Sequence, residues 1–366
     1  MVATEALLSC LKETYPEHTY IIYRQQTYRY TGVFSFLRNL CWSINDFRKV
    51  IQETRPDLIY ATVYTAIIAQ EFSVREQIPS VFHLHGDHRF GEFKPRNFFL
   101  DIPRYIYTSV LEQCVLFLQK RAIQRSSNTI FVSHFAKEEF VSRYHLESFH
   151  PKFHVIYNGV SLDKYTTVSD QGKKELKKKY RIPNTNIITY IGRIDEKKGI
   201  HHLLHAVDSI KQEAVNTLII YPETKDEHSH QYFKLLQDIA KKSTHPVRFI
   251  KNPTRLHEFY QLSDCVVLPS EQEMLPLVML ESLASGVPFL CTAVGGVKEV
   301  LKEFPLFLLE SVEPASLAIR IQSILGLNKK DRKTISDQER ALVEQYSWEI
   351  AAKKVQHVFE MATRYS

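Results

Sequence analysis

Two glutamates with seven residues between them, Glu273 and Glu281, stand in the most informative stretch of the chain, DCVVLPSEQEMLPLVMLESLASGVPFLCTAVGGVKEV. Cys265–Leu268 reads as a strand that ends in the turn Pro269-Ser270. Pro276 stands where the first helical residue is expected, a place proline favours because its missing N–H is not needed there. The helix is expected to run to about Ser285 and stop at Gly286. Val287-Pro288 then opens the next strand. The loop Glu271–Leu275 and the helix N-terminus would present free N–H groups, which suits a diphosphate. Glu273 lies in that loop. Glu281 lies about five residues into the helix, roughly 7–8 Å along its axis. Two such acceptors, one at the mouth and one deeper, could grip a sugar and a ribose on either side of a diphosphate. Spacing alone also fits a capping glutamate followed by a surface one.

A second cluster is cationic. The sequence IGRIDEKKG places Arg193 and Lys198 on a turn after the strand Asn186–Ile191, with a helix following Gly199. Two cations on one strand-to-helix loop can neutralise a departing diphosphate. A third cluster, IPSVFHLHGDHRF, is a strand that ends in histidines. His83 and His85, two apart, are expected to face opposite sides, with His83 and His88 structural. A metal cage with Asp87 is not expected, and no D-x-D occurs in the sequence. The following stretch interleaves Arg89, Lys94, Arg96 and Arg104 with Phe90, Phe93, Phe98, Phe99 and Tyr105. Such a loop packs on a cleft or meets anionic headgroups and lipid-linked acceptors.

These clusters need a scaffold. The 366 residues suggest about two domains. Hydrophobic residues at 44% and charged residues at 24% are ordinary for a globular protein and argue against disorder, collagen and coiled coil. No apolar run approaches the roughly 18 residues of a membrane span, and the first residues do not read as a signal peptide. Five scattered cysteines without C-x-x-C argue against a disulfide framework or a zinc site and fit a reducing cytoplasm. The net charge of +6 suits phosphorylated ligands or peripheral contact with an anionic membrane, and nucleic acid is not an expected partner.

Helices and strands alternate along the chain, which implies parallel sheets with helical crossovers. In the first half the expected strands are Thr19–Tyr23, Asp57–Tyr60, Ser80–Leu84, Thr129–Val132 and Phe153–Tyr157. The expected helices are Glu5–Thr14, Phe34–Thr54, Tyr107–Arg125 and His134–Tyr144. A polar run after Asn158-Gly159 reads as the connection to a second series, with its lysines Lys173–Lys179 on a solvated helix face. The second series has strands at Asn186–Ile191, Thr217–Tyr221, Val247–Ile250, Cys265–Leu268 and Pro288–Cys291. Helices at Asp331–Glu344 and Trp348–Thr363 close the chain.

Taken together, the stretch from Glu273 to Glu299 resembles the signature of family 4 retaining glycosyltransferases. The match runs through Leu277, Val278, Leu280 and Glu281, then Ala-Ser-Gly, Val-Pro and Gly295-Gly296. IGRIDEKKG resembles the family's phosphate-gripping loop, VIYNGVSLDKY its domain-crossing segment, and SWEIAAKKVQHVF its terminal helix. The resemblance implies a GT-B fold: two facing Rossmann-like doubly wound domains, 1–160 and 161–345, with a cleft between them. Residues 346–366 would cross back to the first domain. It implies that Arg193 and Lys198 bind the donor diphosphate, Glu281 its ribose and Glu273 the transferred sugar. Met274, Leu275, Pro276, Leu277, Val278, Gly295 and Gly296 would complete the donor site, and His85 would be the active-site histidine near sugar and acceptor.

The implied activity is retaining, metal-independent transfer of a hexose from a UDP- or GDP-type donor to a glycan, lipid-linked or small-molecule acceptor, without a further cofactor. There are two departures. The loop after Thr217–Tyr221, PETKDEH, lacks the family's glycine turn. The chain also opens on a helix, where the family opens with a strand and a Gly-Gly loop, so the first strand is expected to be missing. The alternative reading is a non-catalytic homologue that binds nucleotide-sugar or a partner subunit.

Overall fold

A computed structural model describes residues 2–21, 33–62, 65–85, 113, 116–210, 215–223 and 227–364. The chain divides into two units: Met1–Tyr157 with Ala351–Ser366, and Asn158–Ile350.

The first unit runs α1 (Val2–Thr14), α2 (Val33–Thr54), β1 (Ile59–Thr62), α3 (Thr65–Glu76), β2 (Ser80–Leu84), α4 (116–125), β3 (Asn128–Phe131), α5 (His134–Tyr144) and β4 (Phe153–Val155). The four strands are parallel in the order β1-β2-β3-β4. β2 and β3 are buried along their whole length, as a parallel sheet covered on both faces requires. Phe47 and Ile51 of α2 and Ile68 and Phe72 of α3 pack with Ile59 and Phe82 of the strands. Burying each such side chain contributes about 1.5–3 kcal/mol. α5 starts cleanly because the Ser133 hydroxyl accepts from the Ala136 N–H at 3.0 Å. One expected strand is corrected: Thr19, Tyr20 and Ile21 have no strand partner, and Ile22 and Tyr23 lie outside the described residues.

The second unit runs α6 (Asp170–Lys179), β5 (Asn186–Ile191), α7 (Ile200–Asp208), β6 (Val215–Tyr221), α8 (Glu227–Lys242), β7 (Val247–Lys251), α9 (Leu256–Leu262), β8 (Cys265–Leu268), α10 (Leu277–Ala284), β9 (Phe289–Thr292), α11 (Val297–Val300), β10 (Leu308–Leu309), α12 (Pro314–Leu325) and α13 (Lys329–Val343). α14 (Trp348–Arg364) starts in this unit and ends in the first, where Phe359 meets Tyr60 edge-on at 5.3 Å.

The six strands of the second unit are parallel in the order β10-β9-β8-β5-β6-β7. The chain begins at the centre of the sheet, winds outward through β6 and β7, then returns to β8 beside β5 and winds the other way. That reversal between β5 and β8 is a topological switch point, and open α/β sheets take ligands outside the carboxyl ends of the strands there. β10, two residues long, carries no sequence signal of its own.

The lysines of α6 correct a second expectation. Lys173 and Lys177, four apart and so on one face, turn inward. Lys173 Nζ donates to the Ser263 carbonyl at 2.6 Å and to Asp264 at 2.7 Å, and Lys177 Nζ donates to the Thr185 carbonyl at 2.7 Å. Lys174, Lys178 and Lys179 stay exposed.

Candidate functional site

β5 and β8 pair through Ile188–Cys265 and Thr189–Val266, which brings the loops that follow them side by side. The β5 loop is shaped by its own groups. The buried Tyr190 hydroxyl donates to the Arg193 carbonyl at 2.7 Å, and Asp195 accepts from the Lys197 N–H at 3.1 Å. Gly199 has φ +67°, and a Cβ there would lie 2.1 Å from the Pro269 carbonyl oxygen. Only glycine lets the two loops approach this closely. The Glu271 N–H then donates across to the Lys197 carbonyl at 2.9 Å.

This approach brings Lys198 and Glu273 together. Lys198 Nζ lies 2.6 Å from Glu273 Oε1, with the side chains only 18% and 11% exposed. The Ser270 hydroxyl donates to the same oxygen at 2.8 Å. The loop after β9 joins them: Thr292 Oγ1 donates to the Ser270 carbonyl, and the Gly296 N–H donates to the Met274 carbonyl at 2.9 Å. Asn158 Nδ2 donates to the Leu275 carbonyl at 3.1 Å. Three loops at adjacent strand ends are therefore tied into one platform. The negative charge of Glu273 adds to burial in raising the Tyr190 phenol and the Cys291 thiol, burial being the larger cause in each.

Pro276 corrects an expectation. Its ψ of 129° is extended, so it caps α10 from outside rather than forming its first helical residue. No side chain caps α10, and the Met279 N–H turns back to the Pro276 carbonyl at 3.2 Å, which leaves the Leu277 and Val278 N–H groups for another acceptor. Met274 and Leu275 are buried, while Leu277 and Val278 are half-buried at the helix start. The helix ends as expected. The Val287 N–H donates to the Ser282 carbonyl at 3.1 Å, and the Gly286 N–H to the Leu283 carbonyl at 2.9 Å. Gly286 sits at φ +63° to make that closure.

Glu281 is held apart from the ion pair. Its Oε1 accepts from the Tyr165 hydroxyl at 2.8 Å and its Oε2 from the Tyr260 hydroxyl at 2.5 Å. Burial raises its carboxyl above the usual range, and the two hydroxyl hydrogen bonds offset only part of that rise. Arg193 stays outside: its side chain is 71% exposed and reaches Asp195 only at 3.5 Å. Gly295, at φ +59°, leads through Gly296 into α11.

Tyr165, Tyr260, Ser270 and Asn158 escaped the sequence reading. Tyr165 and Asn158 lie in the VIYNGVSLDKY segment, which reads as scaffold. Ser270 had a signal in its place directly after β8 and three residues before Glu273.

In the first unit, His85 follows β2. Its Nε2 lies 3.5 Å from Thr4 Oγ1. The His83 and His85 rings stack at 4.1 Å with an interplanar angle of 28°. The expectation of opposite sides is corrected, because side chains two apart along a strand share a face. His83 is 2% exposed, and its Nδ1 shares a 2.6 Å hydrogen bond with the Tyr60 hydroxyl. Gly86, Asp87, His88 and the basic-aromatic loop from Arg89 to Tyr105 lie outside the described residues. Among the described residues, no three His, Cys, Asp or Glu side chains come together to hold a metal ion, and no helix is long and apolar enough to cross a membrane.

Residues 172–341 match the family model of glycosyl transferases group 1, and residues 10–164 that of Glycosyltransferase Family 4. The chain belongs to the family 4, group 1 glycosyltransferases. Spore coat protein SA of Bacillus subtilis (strain 168) is 26% identical to this family 4 chain over 250 residues, covering 65% of the chain and 66% of that protein. The D-inositol 3-phosphate glycosyltransferase of Corynebacterium urealyticum is 26% identical over 215 residues, covering 56% of this chain and 50% of that one. The matched stretch thus spans half to about two-thirds of these relatives. The crystal structure of Anabaena Alr3699/HepE in complex with UDP-glucose superposes with a TM-score of 0.74, covering 95% of this chain and 88% of that one at 19% identity. That likeness shows the fold, the two parallel-sheet units of a GT-B glycosyltransferase.

Proposed function

We propose that this family 4 chain transfers a hexose, with retention, from a uridine diphosphate sugar to an acceptor hydroxyl in the synthesis of a glycan or glycolipid. The observation that carries the reading is the Lys198–Glu273 pair, set 2.6 Å apart where the loops after β5 and β8 meet. A cation and a carboxylate side by side suit a donor whose charged diphosphate adjoins a neutral, hydroxyl-bearing sugar. The UDP-glucose bound by Alr3699/HepE supports uridine as the base.

In this reading, Lys198, Arg193 and the N–H groups at the start of α10 take the negative charge that grows on the leaving diphosphate. These cations and amides, rather than a bound metal ion, carry that load. Glu273 accepts from hydroxyls of the transferred sugar, with Gly295 and Gly296 beside it. Glu281 accepts from the ribose. His85 serves the acceptor side as a hydrogen-bonding imidazole. The acceptor oxygen bonds to the anomeric carbon on the face from which the diphosphate departs, and the leaving phosphate oxygen takes the acceptor proton.

The test is donor turnover. Uridine diphosphate should raise the unfolding temperature, because a ligand that binds the folded state stabilises it. Uridine diphosphate should also be released from the sugar donor when acceptors are supplied. Glu281→Gln or Lys198→Ala should remove most transfer and leave the fold intact. Full turnover in both variants would overturn the reading, and donor binding without transfer or hydrolysis would favour a non-catalytic homologue. Contact with an anionic membrane is a separate expectation, checked by salt-sensitive co-sedimentation with anionic vesicles.

A further inference from the structure

Glu281 occupies an unusual setting for a group meant to bind hydroxyls. Each of its oxygens is already bonded to a phenol that the sequence motif does not include. Tyr260 comes from α9 and is fully buried, and Tyr165 comes from the turn before α6 and is 5% exposed. Their rings meet edge to face at 5.5 Å and 85°. The segments that carry them are tied in by side-chain bonds to the backbone beside Tyr165. Arg340 of α13 donates to the Tyr165 carbonyl at 2.9 Å, and Gln261 of α9 donates to the Thr166 carbonyl at 3.0 Å. The pair is a rigid clamp reached from three elements.

We propose that Tyr165 and Tyr260 are positioning residues for donor binding, each fixing one oxygen of Glu281 so that the carboxylate turns its remaining acceptor sites to the vicinal hydroxyls of the donor ribose. The proposal rests on the reading that Glu281 takes the ribose. A carboxylate has about four acceptor sites, and two phenols use only two of them. The phenols also set its charge. A buried carboxyl with no donors tends to keep its proton, and a protonated carboxyl offers a donor on one oxygen where two acceptors are needed. Burial does raise Glu281, and the two phenols oppose it, together with the charge of Lys164. Both phenols are protonated at neutral pH, with burial and then the charge of Glu281 raising them further, so they remain donors.

The experiment compares two probes, uridine diphosphate and 2′,3′-dideoxyuridine diphosphate, by calorimetry on the full chain. The probes differ only in the hydroxyls that Glu281 would receive. The native chain should bind uridine diphosphate about tenfold or more tightly than the dideoxy probe, the scale of hydrogen bonds to a charged group. In Tyr165→Phe and Tyr260→Phe that ratio should shrink towards one, while the dideoxy probe binds as before. A merely structural role would weaken both probes equally and leave the ratio unchanged.

The pH profile gives a second readout. Loss of either hydroxyl raises the Glu281 carboxyl further, so uridine diphosphate affinity should begin to fall at a higher pH than in the native chain. An unchanged ratio and profile in both tyrosine variants, with the native chain and Glu281→Gln still differing in their preference, would overturn the clamp alone. No preference between the probes in the native chain would overturn the ribose reading and the clamp with it. Phenylalanine keeps the ring volume, and far-ultraviolet circular dichroism checks that the variants fold.

Discussion

The strand ends of the two units are equipped differently. At β5 and β8 the groups are charged: Lys198 and Glu273 in contact, Arg193 exposed on the loop after β5, and N–H groups at the start of α10 that no side chain caps. At the end of β2 they are an imidazole stack with a phenol and a threonine hydroxyl: His83 on His85, Tyr60 behind, Thr4 at the edge. Burial, joined by the neighbouring His85, pushes His83 well below the usual histidine range. Both sets stand where parallel strands deliver their loops. The contrast is therefore one of ligand chemistry. A charged platform suits a diphosphate, and a stack of imidazole rings beside two hydroxyls suits a hydroxyl. An ion pair as enclosed as Lys198–Glu273 is weak evidence for stability, because desolvation offsets its attraction.

The harshest way to break the charged side is Lys198→Ala. It removes the cation proposed to take the charge of the leaving diphosphate and leaves Glu273 without its ion-pair partner. Turnover should fall by about 10²–10³-fold, the usual loss when one electrostatic stabiliser is deleted. Release of uridine diphosphate from its sugar measures this, with circular dichroism as the fold control. A loss under threefold would mean that the charged platform is structural.

Next in size is Gly199→Ala, which tests whether the platform depends on close approach of the two loops. The new Cβ would lie 2.1 Å from the Pro269 carbonyl oxygen, at a φ of +67°. Left-handed backbone and overpacking together should cost about 2–3 kcal/mol. Thermal unfolding reads the loss, and an unchanged midpoint would show that the loops can part freely. Glu273→Gln is gentler. It keeps the shape and the Ser270 contact but removes the charge, so binding of uridine diphosphate should persist. Preference for the sugar donor over the bare nucleotide should fall about tenfold, the loss of one charge-assisted hydrogen bond. Equal loss for both ligands would contradict the division of labour between Lys198 and Glu273.

Much of this was readable before any coordinates. Short, mostly apolar runs marked β2, β5 and β8 with the right ends, because a parallel strand covered on both faces buries nearly every side chain. Gly286 marked a helix end for a reason that travels with sequence, the left-handed closure it must make. The pairing of Lys198 with Glu273 was not readable. The two are far apart in the chain, and only the β5–β8 neighbourhood joins them. The tyrosine clamp on Glu281 was hidden for the same reason, since Tyr165, Tyr260 and Glu281 come from three elements. The inward turn of Lys173 and Lys177 was hidden by their charge, which reads as solvent-facing until Asp264 is seen beneath them.

The β2 side of the contrast is sharpened by His83→Phe, the smallest effect expected. Phenylalanine can keep the ring contacts with His85 and Tyr60 but cannot bind a proton. At pH 8 the variant should be less stable by about 1 kcal/mol, because the Tyr60 hydroxyl loses its partner. Below about pH 6.5 the order of effects changes. The unfolded native chain takes up a proton on His83, and the folded chain does not. Native stability therefore falls with pH while the variant is spared that share of the loss. The gap between them should narrow as pH drops from 8 to 5. His154, His201 and His257 are also held low by burial, but they titrate in both chains and cancel in the difference. Urea midpoints measured across that range give the gap directly. A gap that stays constant with pH would mean that the His83 ring takes up its proton in the folded chain, and the end of β2 would then be as able to carry charge as the ends of β5 and β8.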